Sequence, residues 1–171
     1  MSPIWLALAI VGLTAQDEPD FSGRWVLDTP SLASPDVPRV LAVRQTLVRT
    51  TVTGRPMEPY YKDLVVEREF DSGVRSRSYV IGAVGGVVPG VDRLGRPTDP
   101  SASERRFSVR WDADRLVIEE ASYALPKSET RAFTEHTEVW SLDESGRLVM
   151  SVTERSSEAA PVTRTLTYLR R

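Results

Sequence analysis

His136 is the only histidine in the chain, and it stands in the run Glu135-His136-Thr137-Glu138. On a strand, residues two apart share a face. If Trp140 and Leu142 point inward, His136 and Glu138 therefore do the same. An imidazole beside a carboxylate inside a barrel could titrate near neutral pH or orient a ligand. The simpler reading is a partly exposed strand histidine on a polar face. Acid/base catalysis by His136 with a carboxylate is the third reading, and it ranks last because no supporting motif accompanies the pair.

Arginine is the second chemical resource. Lys62 and Lys127 are the only lysines, so almost all the positive charge is guanidinium. Arg75 and Arg77 share strand parity with Tyr79, Arg68 with Val66 and Phe70, and Arg164 with Leu166 and Tyr168. If those apolar faces are internal, several guanidinia ring the lumen and could hold a carboxylate or phosphate by charge-assisted hydrogen bonds. The competing expectation places them at the rims, paired with Glu67, Glu69, Glu119 and Glu120, because an unpaired buried charge is costly.

Other chemistries lack their parts. The chain has no Cys, which excludes disulfides, thiol nucleophiles and thiolate-bound metals. A single His cannot build a three-His zinc site, and neither Glu-x-x-His nor His-Glu-x-x-His occurs. Asp112 and Asp114 begin like a calcium loop, but the remaining ligands and the Gly are missing, so they read as a hairpin turn. Gly82-Ala83-Val84-Gly85-Gly86 lacks the Lys and helix of a phosphate loop. No Gly-x-Ser-x-Gly elbow is present. No cofactor and no metal is implied.

The elements that must position these residues are strands. Apolar residues recur with period two in short runs bounded by Gly, Pro, Asp and Ser. The expected strands are 21–28, 40–53 (one bent strand or a tight pair), 62–70, 74–81, 105–111, 115–123, 131–142, 147–156 and 162–170. Such a meander avoids exposed edges by closing on itself. The expected fold is thus all-β: a single antiparallel up-and-down β-barrel of about 8–10 strands. Residues 82–103 break the pattern with Gly82, Gly85, Gly86, Gly90, Gly95 and three prolines. They read as a Gly/Pro-rich loop, either functional or a plain surface insertion.

The chain has 171 residues and a formal net charge of −2, enough for one domain with a real core. Nothing in that balance suggests a nucleic-acid partner. Residues 1–15 read as a signal peptide: an apolar run, then Gly12-Leu13-Thr14-Ala15 before Gln16. The run is well short of the ~20 residues a membrane span requires. The expected organisation is a signal peptide at 1–15 and one barrel domain at 16–171, exported to the periplasm or the extracellular space.

Gly23-Arg24-Trp25, opening a strand meander close behind an exported N-terminus, resembles the Gly-x-Trp motif of lipocalins and other calycin barrels. Phe21-Ser22-Gly23-Arg24-Trp25 together with Glu138-Val139-Trp140-Ser141-Leu142 is similar to exported bacterial lipocalin-like proteins. The continuation through Leu148-Val149-Met150-Ser151-Val152-Thr153 belongs to the same likeness. The chain lacks the Thr-Asp-x-x-Tyr segment and paired Cys of classical lipocalins. The resemblance implies that Gly23 and Trp25 close the barrel base under an arginine of the last strand, with Arg170 the best match and Arg164 or Arg171 the alternatives. A guanidinium over an indole face gains ~1 kcal/mol or more when desolvated. The resemblance also implies a lumen that binds a small apolar or amphipathic ligand. Candidate contacts are Arg75, Arg77, Tyr79, Trp111, His136, Glu138 and Tyr168, with Arg75 and Arg77 at the head group. The alternative is a cell-envelope interaction module whose barrel is filled by its own side chains and whose protein partner meets the 82–103 loop.

Overall fold

The computed structural model describes residues 18–28, 34–53, 55–56, 59–87, 103–124 and 132–171. The expected signal peptide and residues 88–102 of the expected loop lie outside them.

The described elements are all strands: β1 (Gly23–Leu27), β2 (Val40–Val48), β3 (Thr51–Val52), β4 (Arg55–Pro56), β5 (Tyr60–Phe70), β6 (Gly73–Val80), β7 (Val84–Val87), β8 (Ser103–Asp112), β9 (Arg115–Ala124), β10 (Phe133–Leu142), β11 (Leu148–Ser156) and β12 (Val162–Arg170). The stretch expected as a bent strand or tight pair at 40–53 divides. Strand β2 takes most of it, with a register shift between Thr46 and Leu47, and β3 forms a small separate ribbon with β4. One end of the Gly-rich stretch is strand: β7 pairs with β8 from Val84↔Ser108 to Val87↔Arg105.

Ten strands form one sheet in the order β6-β5-β2-β1-β12-β11-β10-β9-β8-β7. Each large strand lies beside its neighbour in the chain, and β1 joins the two halves by pairing with β2 on one side and β12 on the other. The result is an up-and-down antiparallel barrel, nearly closed. Its seam lies between β6 and β7, which are joined covalently through Ile81–Ala83. There Gly82 N–H donates to the Val109 carbonyl at 2.7 Å, tying the turn to β8.

Local chemistry sets the hairpins. At the β10–β11 turn the Asp143 carboxylate accepts from the backbone N–H of Ser145 and of Arg147, each at 2.9 Å. Gly146 follows at φ 73°, a conformation that suits a residue without Cβ. The Asp112–Asp114 segment is likewise a tight turn, with Arg115 bonded back to Asp112 at 2.6 Å.

The interior is not uniform from end to end. Since Trp25 pairs with Arg170 in register, the C-terminal end of β12 marks the base, and Val162 lies at the opposite end, the mouth. The base is packed solid around Phe21, Trp25 and Trp140, all with no exposed surface. Phe21 stacks on Trp111 at 6.0 Å and meets Trp140 edge-on at 5.9 Å. Toward the mouth, the same inward positions change from apolar to charged: Leu64, Val66, then Arg68 on β5; Trp140, Glu138, then His136 on β10. Among the described residues no helix is long and apolar enough to cross a membrane.

Candidate functional site

At the base, the Arg170 guanidinium carbon lies 4.8 Å from the centre of the Trp25 ring. The same guanidinium donates to the carbonyls of Asp20 and Ser22 at 2.9 and 2.8 Å. The Trp25 indole N–H donates to the Phe21 carbonyl at 2.8 Å. Gly23 has φ 139°, and a Cβ there would meet the Arg170 side chain at 3.4 Å. Among the described residues this end is closed by packed side chains, with Phe21 and Trp25 fully buried.

The mouth is the end with chemistry. Its floor is one ion pair. Arg68, from β5, donates to both carboxylate oxygens of Glu138, from β10, at 3.1 and 2.9 Å. The other two donors to Glu138 come from its own strand: the Trp140 indole N–H at 2.9 Å and the His136 imidazole Nε2 at 2.9 Å. The Glu138 side chain is only 5% exposed and the Arg68 side chain 11%. Burial alone would push the Glu138 carboxyl up, but Arg68 and His136 overcome it and hold it down at about 2. Glu138 is therefore a saturated anion, and it fixes the Arg68 guanidinium beneath the cleft.

His136 stands one step nearer the mouth. Its Nε2 faces Glu138, and its Nδ1 lies 3.7 Å from the Glu154 carboxylate. The hydrogen bond to Glu138 raises its pKa above the ordinary value; partial burial opposes this, and the charges of Glu138, Glu120 and Glu154 add to the rise. With a carboxylate at each ring nitrogen, the imidazole is set up to carry a proton rather than to accept one from a substrate.

Around this floor runs a belt of cross-strand pairs. Arg77 meets Glu120 at 3.0 Å, and Arg164 meets Glu154 at 2.9 Å. Glu120 also accepts from the Tyr79 hydroxyl at 2.6 Å. Burial pushes the pKa of that hydroxyl up, and the nearby positive charge of Arg68 opposes the rise. Of the rim pairings expected from sequence, Arg77–Glu120 forms; Glu69 and Glu119 pair instead with Arg24 and Arg110, which were not among the expected partners. Arg68 instead reaches Glu138 across the barrel.

Two adjoining spaces open above the belt and share Arg77, Glu120, His136 and Glu154 as walls. The larger, half-open cleft measures about 660 Å³ and extends over the rim past Phe107, Ala121 and Val162. The smaller, about 440 Å³, reaches down to Glu138 and Arg68. Of the residues named from sequence as ligand contacts, Arg75, Arg77, His136 and Glu138 line one or both spaces. Tyr79, Trp111 and Tyr168 lie in the packed interior and line neither. Trp111 is in the base stack, and Tyr168, fully buried, donates its hydroxyl to the Pro38 carbonyl at 2.9 Å.

Arg105 lines the larger cleft as well. The sequence carried a usable signal for it, since Arg105 alternates with Phe107, Val109 and Trp111 and so shares their inward face. Among the described residues no group of three His, Cys, Asp or Glu is placed to hold a metal ion. No protein-family model, no curated protein and no solved structure matches the chain.

Proposed function

We propose that this chain is an exported, lipocalin-like barrel that holds a small amphipathic molecule in the cleft at its mouth. The supporting observation is the half-open space of about 660 Å³ at the mouth, above a base packed with aromatic side chains. A volume of that order suits a small organic ligand. The ligand's apolar body would lie along Phe107, Ala121 and Val162, with its polar group toward the arginine-rich wall. Because the base is plugged by Phe21, Trp25, Trp111 and Trp140, the ligand does not run the length of the barrel.

The filled base also favours a second reading, a cell-envelope module that works through protein contacts. Native mass spectrometry of protein purified from its own host separates the two. A retained small molecule supports the binder; uniformly apo protein, together with a co-purifying protein partner, supports the module.

A further inference from the structure

We propose that the occupant of the mouth cleft is a compact organic anion, with Arg75 and Arg105 receiving its acidic group. This rests on the cleft being a small-molecule site and adds the class of molecule it takes.

The argument is a charge inventory of the inward face. Each carboxylate that the sheet directs into the mouth has a guanidinium partner: Glu138 with Arg68, Glu120 with Arg77, and Glu154 with Arg164. Arg75 and Arg105 have no carboxylate within ion-pair distance among the described residues. Arg75 lies over the Phe70 ring at 4.7 Å and lines the smaller space; Arg105 lines the larger. Among the described residues the only unpaired acid on these walls is Asp36, on the exposed turn before β2. His136 faces Glu138 and Glu154, carboxylates that arginines already serve, which leaves Arg75 and Arg105 as the local positive surplus. The surplus is local, because the chain as a whole carries a net charge of −2.

Geometry limits the rest of the ligand. The Arg68–Glu138 pair forms the floor, and below it the described residues pack as an aromatic base of Phe21, Trp25, Trp111 and Trp140, which opposes entry of a long chain. The shared chemistry is therefore one carboxylate, sulfonate or phosphate on a short apolar body. Its source could be a free organic acid or the end of a lipid, and the floor favours the free acid.

The test uses two dyes of one shape, anilinonaphthalene sulfonate and the uncharged phenylnaphthylamine, titrated by fluorescence into the full chain and into an Arg75→Gln/Arg105→Gln variant. Both arginines are exposed, so the variant should keep its melting curve. The sulfonate is expected to bind at least about tenfold more tightly than the neutral dye, and to lose that advantage in the variant. Binding of the neutral dye should not change. Equal affinity for the two dyes, or a sulfonate preference that survives both substitutions, overturns the acidic-group inference and leaves the cleft intact as a binding site. Failure of both dyes to bind overturns the cleft reading beneath it. Competition then separates the sources: displacement by hexanoate in preference to hexadecanoate supports a compact acid, and the reverse order overturns that part in favour of a lipid.

Discussion

Glu138 accepts four hydrogen bonds from three side chains at the centre of the barrel, and that saturation sets the cost of any substitution there. Glu138→Gln leaves Arg68 buried without a counter-charge. Breaking such a pair from one side costs on the order of 3–5 kcal/mol, readable as a large drop in the denaturation midpoint. Replacing both partners, as in Arg68→Met/Glu138→Leu, removes the stranded charge and should recover much of the loss. The pH dependence has a definite sign. The Glu138 carboxyl is held at about 2 against an ordinary 4.5, so its contribution to stability is present above pH 4.5 and is lost as pH falls toward 2. His136 has the opposite sense: its raised pKa contributes stability below its ordinary value of 6.5, lost as pH rises through the folded value. Acid melts of wild type should therefore fall more steeply between pH 4.5 and 2 than those of the Arg68→Met/Glu138→Leu variant. Strand alternation from Trp140 was enough to place His136 and Glu138 on the inward face. The partner of Glu138 was not legible, because Arg68 is 70 residues away in the chain and periodicity assigns faces without saying which strands oppose each other. Arg105 shows the same limit. Its parity was readable, but its lack of a carboxylate partner among the described residues depends on where each acid in the barrel comes to rest.

At the scale of the element, β7 is the least expected piece. Val84-Gly85-Gly86-Val87 is too short and too rich in glycine to announce a strand, and glycine ordinarily weakens one. Its ladder with β8 accounts for Gly85. The Phe107 ring lies against that Cα so closely that an added Cβ would collide with it. Phe107 in turn meets Tyr79 edge-on at 6.2 Å, so a ring from β8 spans the seam between β6 and β7. Gly85→Ala should displace Phe107 and destabilise the protein by about 1–3 kcal/mol. Because Phe107 also forms a wall of the larger cleft, the same variant should weaken dye binding; unchanged stability and unchanged binding would remove this role from Gly85. The longer strands were easier to read because turn residues bound them and one face of each is buried. In β6 only Tyr79 is buried, yet its hairpin signal, Asp71-Ser72-Gly73, sufficed.

At the scale of the molecule, the order of strands tracks the chain around the ring, with one long-range closure where β1 meets β12. That closure was legible in outline, from Gly23-Arg24-Trp25 near one end and the arginines near the other, and Arg170 is the residue that lies over Trp25. The depth of the filling was not legible: Trp111 and Tyr168, which alternation sends inward, contribute to packing and not to the cleft. One consequence of the seam concerns the order in which the chain could be written. Among the described residues no ladder crosses between β6 and β7, while β1 and β12 are already side by side, with Arg171 N–H donating to the Arg24 carbonyl at 2.8 Å. A circular permutant that begins at Ala83, passes from Arg171 through a short Gly/Ser linker to Glu18, and stops at Gly82 therefore retains the strand pairings of the barrel. It should give the same β-sheet circular dichroism and a cooperative melt. A cut placed between β11 and β12 instead severs a hairpin whose ladder runs from Leu148↔Tyr168 to Glu154↔Val162, and should be the more damaging place to open the ring.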